Sequence, residues 1–161
     1  MLEEGTTAPD FALSGTYQGE TDTYHLSELT DAGNWVVLTF YAFDFNPICT
    51  EGICSLRDTE YFQFEPDMEL LGVSGDGVYS HHQFADQHEI NFPLLADTDK
   101  RVAERYDVVR EDYEGMKHVH QRAIYLVDPD REIRFVTAVE VDSPDDLDLA
   151  PVLEAVQSLR D

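Results

Sequence analysis

Apolar residues are densest at residues 35–41, where Trp35, Val36, Val37 and Leu38 run together with almost no polar interruption. Such a run predicts a strand buried on both faces, as in a parallel sheet. Asn46-Pro47 follows and reads as an N-cap with proline at the first helical position, where its fixed φ helps and its missing donor costs nothing. The helix that starts there takes its apolar side from Ile53, Leu56, Phe62 and Phe64, and Pro66 is expected to stop it. A second strand at residues 69–74 completes a strand, helix, strand unit with a right-handed crossover. Helical patterns recur at residues 80–89 and 98–106. Two β-rich runs, Arg122–Val127 and residues 132–139, flank Asp128-Pro129-Asp130-Arg131, a turn with proline at its second position, and so predict a hairpin. Leu149, Val152, Leu153 and Val156 fall at i, i+3, i+4 and i+7 and predict a closing helix from about Asp148. The order β, α, β, α, β, β, α describes one α/β domain over residues 1–161, a mixed central sheet flanked by helices.

Composition narrows the partners. The 161 residues carry 34 Asp and Glu against 10 Lys and Arg, a formal net charge of -24. Phosphate backbones and anionic membrane surfaces repel such a chain, so neither nucleic acid nor membrane is an expected partner. Disorder is excluded by 42% apolar and 11% aromatic residues. No stretch approaches the roughly 18 apolar residues of a membrane span, and Met1-Leu2-Glu3-Glu4 lacks a signal-peptide pattern, so a cytoplasmic location is expected. The acidic residues run from Glu3 to Asp161 with no more than two adjacent, which spreads the charge over the whole surface. Salt screens such self-repulsion, and the pattern predicts the cytoplasm of a salt-accumulating halophile.

Chemistry concentrates at two cysteines, Cys49 and Cys54. With Asn46 as the cap, Cys49 lies in the first helical turn, where free N–H groups and the positive end of the macrodipole favour a thiolate. Cys54 is five residues on. In an ideal helix that spacing separates the Cα atoms by about 8 to 9 Å and rotates the side chains by about 140°, beyond the roughly 7 Å limit of a disulfide. A bond between them requires the helix start to unwind, and Gly52 lowers helix propensity there. Three readings stand at this point: two buried core cysteines, a redox pair coupled to local unfolding, and a zinc set of Cys49, Cys54, His118 and His120, which the helix would have to distort to complete.

The segment Phe40-Tyr41, then Asn46-Pro47-Ile48-Cys49-Thr50-Glu51-Gly52-Ile53-Cys54-Ser55-Leu56-Arg57-Asp58, resembles the active-site segment of the peroxiredoxins, of the bacterioferritin-comigratory-protein type. Ala8-Pro9-Asp10-Phe11-Ala12-Leu13, Leu71-Gly72-Val73-Ser74-Gly75-Asp76, Phe92-Pro93-Leu94-Leu95-Ala96-Asp97 and the stretch from Arg122 to Asp130 are similar to other parts of that family, in order. The resemblance implies a thioredoxin-like fold and a thiol-dependent peroxidase without cofactor or metal. Cys49 would be the peroxidatic cysteine and Cys54 the resolving cysteine. The substrate would be hydrogen peroxide or an alkyl hydroperoxide, and the reductant a thioredoxin-like protein. Arg122 matches the family's active-site arginine, suited to lowering a thiol pKa and donating to a peroxide oxygen. The family motif P-x-x-x-T/S-x-x-C reads Ala42 and Asn46 here in place of proline and threonine. Asn46 can cap the helix or donate from its amide, and Ala42 removes a rigid residue.

Arg57, about two turns after Cys49, is expected on roughly the same side of the helix, where it would add positive charge or pair with a nearby acid. His118 and His120 on a strand would put both rings on one face. Phe43 and Phe45 flank the loop before Cys49 as core residues or as part of a dimer surface, leaving monomer and homodimer both open. A thiol-disulfide oxidoreductase of the same fold is the competing enzyme, though C-x-x-C is absent, and a redox-sensing or holdase-like binding protein is the competitor from another class. The acidic field is expected to raise the Cys49 pKa, against the helix N-terminus and Arg122.

Overall fold

The computed structural model describes residues 1–59, 65–140 and 149–160. The expected contributions of Phe62 and Phe64, and the start of the last helix at Asp148, lie outside them. The apolar run forms β3 (Trp35–Phe40), and its alternate residues feed two different cores. Val37 points with Tyr41 into one, and Val36, Leu38 and Phe40 into the other. This two-sided burial is why the run shows no polar alternation.

Around β3 the sheet runs β2-β1-β5-β4-β3-β8-β9. β4 (Met68–Ser74) and β5 (Leu94–Ala96) continue it in parallel. β8 (Arg122–Val127) and β9 (Ile133–Val139) extend the other side as the expected hairpin, with β8 antiparallel to β3. The far edge is a hairpin that the apolar pattern did not predict, β1 (Ala12–Tyr17) and β2 (Glu20–His25). Its turn, Gln18-Gly19, has positive φ at both residues, 51° and 82°, the geometry that matches strand twist in a two-residue loop.

Helices cover both faces. On one side lie α2 (Pro47–Arg57), α3 (Val78–His88) and α5 (Ala150–Arg160), contributing Ile53, Leu56, Phe84, Val152 and Val156. On the other lie the short α1 (Leu26–Asp31) and α4 (Arg101–Arg105), contributing Leu26, Val102 and Ala103. α2 ends at Arg57, well before Pro66, because Asp58 and Thr59 turn their N–H groups back to the carbonyls of Cys54 and Leu56. A separate two-stranded ribbon, β6 (Val109–Tyr113) and β7 (Met116–His120), was also not foreseen and turns on Glu114-Gly115.

Asp97, just after β5, ties this ribbon to the sheet. Its carboxylate accepts from the N–H groups of Val102 and Ala103 and pairs with His120 on β7 at 2.8 Å. Burial alone would raise its pKa, but the His120 bond and the two amides take it below the ordinary carboxylate range. His118 does not share that face. Its φ of 59° breaks the strand alternation, and its ring lies partly exposed between Glu104 and Glu111. The expectation of two histidines on one face is therefore corrected. Among the described residues no group of three or more His, Cys, Asp or Glu could hold a metal ion.

Candidate active site

The carboxyl end of β3 delivers the chain to the start of α2 through the loop of residues 41–46. Asn46 caps the helix: its side-chain oxygen accepts from the N–H of Ile48 at 3.0 Å and of Cys49 at 3.1 Å, and Pro47 occupies the first turn. The Asn46 amide nitrogen is thereby free to point the other way, and it donates to the Tyr113 hydroxyl at 3.2 Å. One side chain thus does what a threonine hydroxyl does at a cap and also reaches the β6–β7 ribbon. Tyr113 was not found from the sequence, being 67 residues away.

Cys49 is 2% exposed. Burial, the largest influence, pushes its thiol above the ordinary value. The backbone N–H groups of Phe43 and Ala42 act on the sulfur in the opposite sense, as does the charge of Arg122, while Asp76 adds to the rise. The thiol is raised, as expected, but the low-dielectric surroundings of the sulfur come first among the causes. Ala42 has a particular part here, because the proline expected from the family motif carries no N–H to donate.

Arg122 stands at the start of β8, one residue before the Ala123 and Phe40 pairing, and is itself only 2% exposed. Its guanidinium reaches α2, where a Cβ added at Gly52 would lie 3.8 Å from Nη2. Gly52 is three residues after Cys49, so arginine and sulfur share one side of the helix start. A cavity of about 10 Å³, bordered by Cys49, Gly52, Arg122 and Thr39, lies between them. That volume matches about one small polar molecule such as water.

Cys54 is partly buried further along α2, and both cysteines are free thiols. Both lie within one continuous helix, so a bond between them still requires local unwinding. Arg57 donates to Asp58 and to the carbonyl of His88, and it does not rank among the main influences on Cys49. Phe43 packs against the core, whereas Phe45 is 45% exposed, has φ 68° and meets Phe84 edge-on at 5.2 Å.

The sequence profile of the AhpC/TSA family matches residues 5–136. Peroxiredoxin Bcp of Bacillus subtilis (strain 168) is 33% identical, over 99% of this chain and 96% of that protein. The selenocysteine-containing peroxiredoxin PrxU of Peptoclostridium acidaminophilum is 35% identical, over 81% of this chain and 64% of its own length. Among solved structures, peroxidoxin BcpB from Mycobacterium tuberculosis superposes with a TM-score of 0.79 at 28% identity, covering 99% of this chain and 97% of that one. The reduced 2-Cys peroxiredoxin of Plasmodium vivax reaches 0.86 at 22% identity, over 98% of this chain and 81% of that one, a likeness of fold.

The Ala42 amide provides a direct test of how this sulfur is held. Ala42→Pro deletes the donor and is expected to lower the thiolate fraction of Cys49 at neutral pH by about three- to tenfold, while Ala42→Gly, which keeps it, stays near the native value. Ultraviolet thiolate absorbance against pH reads this. Identical titrations of the proline variant and the native protein would remove the Ala42 amide from the account.

Proposed function

The chain belongs to the AhpC/TSA family and is a thiol-dependent peroxidase, and from that premise we propose that Cys49 is its peroxidatic cysteine and Cys54 its resolving cysteine. The observation that carries this reading is the position of Cys49: buried in the first turn of a capped helix, on a small cavity shared with the buried Arg122. Cys54 lacks that setting.

In the proposed cycle the Cys49 thiolate attacks one oxygen of a hydroperoxide, and the O–O bond breaks. The departing oxygen leaves as alkoxide or hydroxide and takes a proton to become alcohol or water, leaving Cys49 as a sulfenic acid. Arg122 supplies donors and positive charge where the leaving oxygen turns negative. Asn46 keeps the first turn closed during attack. The helix start then unwinds, and the Cys54 sulfur displaces the sulfenic oxygen as water, closing a disulfide. A thioredoxin-like dithiol reduces it by exchange, returning both thiols.

The same reading takes residues 1–161 as one domain in a monomer or homodimer, with the exposed Phe45 among the surfaces open to a second copy. It places the chain in the cytoplasm of a halophile, on the strength of its net charge of -24. No helix among the described residues is long and apolar enough to cross a membrane.

Two experiments test these proposals. Stoichiometric peroxide followed by mass analysis is expected to give a Cys49–Cys54 disulfide in the native chain and a trapped sulfenic acid at Cys49 in Cys54→Ser. Peroxide consumption should be lost in Cys49→Ser, and wild-type turnover in that variant would reverse the assignment. For the saline setting, raising KCl from about 0.1 M to about 1 M shortens the Debye length from about 10 Å to about 3 Å. The thermal midpoint is expected to rise across that range, and a flat or falling midpoint contradicts the halophilic origin.

A further inference from the structure

The loop that presents amides to Cys49 is anchored by a second polar cluster. Asp44 is 8% exposed, and its carboxylate collects three donors: the Tyr41 hydroxyl at 2.7 Å, the Ser80 hydroxyl at 2.8 Å and His81 Nδ1 at 2.7 Å. His81 is fully buried in α3, and its Nε2 donates to the Leu95 carbonyl at 2.9 Å. One ring nitrogen is thus committed to a carbonyl, and the other faces a carboxyl group that also accepts from two hydroxyls. The Asp44 main chain is fixed as well, since its N–H donates to Asp76 at 2.7 Å, and Asp76 is held in turn by Ser74. Asp44 is therefore held directly from α3 and from the turn after β4, and through His81 from β5.

The peroxidase chemistry assigns no step to this cluster, yet it stands directly between the two amides and the helix cap. Ala42 and Phe43 lie immediately before Asp44, and Asn46 lies two residues after. Between them Phe45 occupies the left-handed region, unfavourable for a bulky side chain. A backbone in that conformation persists only where its neighbours over-determine it, and Asp44 on one side and the Asn46 cap on the other do so.

We propose that the buried Asp44–His81 pair is the positioning element of the peroxidatic thiol, locking residues 41–46 against the capped helix start that carries Cys49. The proposal rests on the reading of Cys49 as the peroxidatic cysteine. Asp44 and His81 touch neither substrate nor sulfur in this scheme; they act through the loop. The titratable groups that face the pair are Tyr41 from β3 and Asp76 from the turn after β4, with Ser74 and Ser80 as neutral partners.

Charge and position are separable here. Asp44→Asn removes a carboxylate from the pair, and charge alone gives no loss of thiolate. Loss of position loosens residues 41–46 against the helix start and disfavours the thiolate. Titrated in a Cys54→Ser background, so that Cys49 is the thiol observed, Asp44→Asn is expected to lower the thiolate fraction at neutral pH about tenfold. The second-order rate with hydrogen peroxide should fall by a similar factor. Tyr41→Phe, which changes no charge at neutral pH and removes one bond, should move both readouts the same way by about two- to threefold. An unchanged or larger thiolate fraction in folded Asp44→Asn overturns the proposal. Should that variant not fold, an unchanged titration and rate in Tyr41→Phe overturns it. Cys49→Ser separates the two levels: if it retains peroxidase activity, the reading of Cys49 fails, and if it is inactive while the Asp44 and Tyr41 variants titrate as native, positioning alone fails.

Discussion

Keeping a sulfur that must become an anion out of water is the constraint on which the rest of the site depends. Burial at 2% exposure works against the thiolate, as does the charge of Asp76, and the backbone and Arg122 offset part of that cost. The capped helix start brings its dipole, the loop brings two amides, and the first residue of β8 brings a buried guanidinium. The loop and the helix start are consecutive, but the arginine lies 73 residues beyond Cys49. The mixed sheet unites them, because the parallel β3 opens toward α2 at its carboxyl end and the antiparallel β8 begins at that same end.

A second constraint opposes the first. In the proposed cycle, attack by Cys49 requires α2 folded through its first turns, whereas resolution by Cys54 requires those turns to open. Asn46 and Pro47 favour the closed form by capping and by a preset φ. Gly52 works the other way, since glycine gains the most chain freedom when a helix opens.

Much of this was legible in the sequence, for identifiable reasons. Arg122–Val127 was placed to the residue because its apolar run ends in an unmistakable Asp-Pro turn, and the start of α2 because Asn-Pro is a strong local signal. The hairpins β1–β2 and β6–β7 were missed because their strands carry Glu, Asp, Thr and Lys on water-facing sides, which hides alternation. Their signal was the X-Gly pairs, Gln18-Gly19 and Glu114-Gly115. Asp44, His81 and Tyr113 were not recognised as neighbours of the site because contacts 37 and 67 residues apart leave no trace in local pattern. That burial leads the rise of the thiol pKa was not legible for a related reason: composition reports total charge, and burial is set by tertiary packing.

The central claim is that one helix start alternates between a closed form that attacks and an open form that resolves. Amide hydrogen exchange over residues 48–54, compared between the reduced chain and the peroxide-oxidised chain, tests it most directly. The account predicts protected amides in the reduced protein and a large loss of protection there on oxidation, with β3 and β8 unchanged in both. Equal protection of residues 48–54 in the two states, in a sample whose Cys49–Cys54 disulfide is verified by mass, would contradict it.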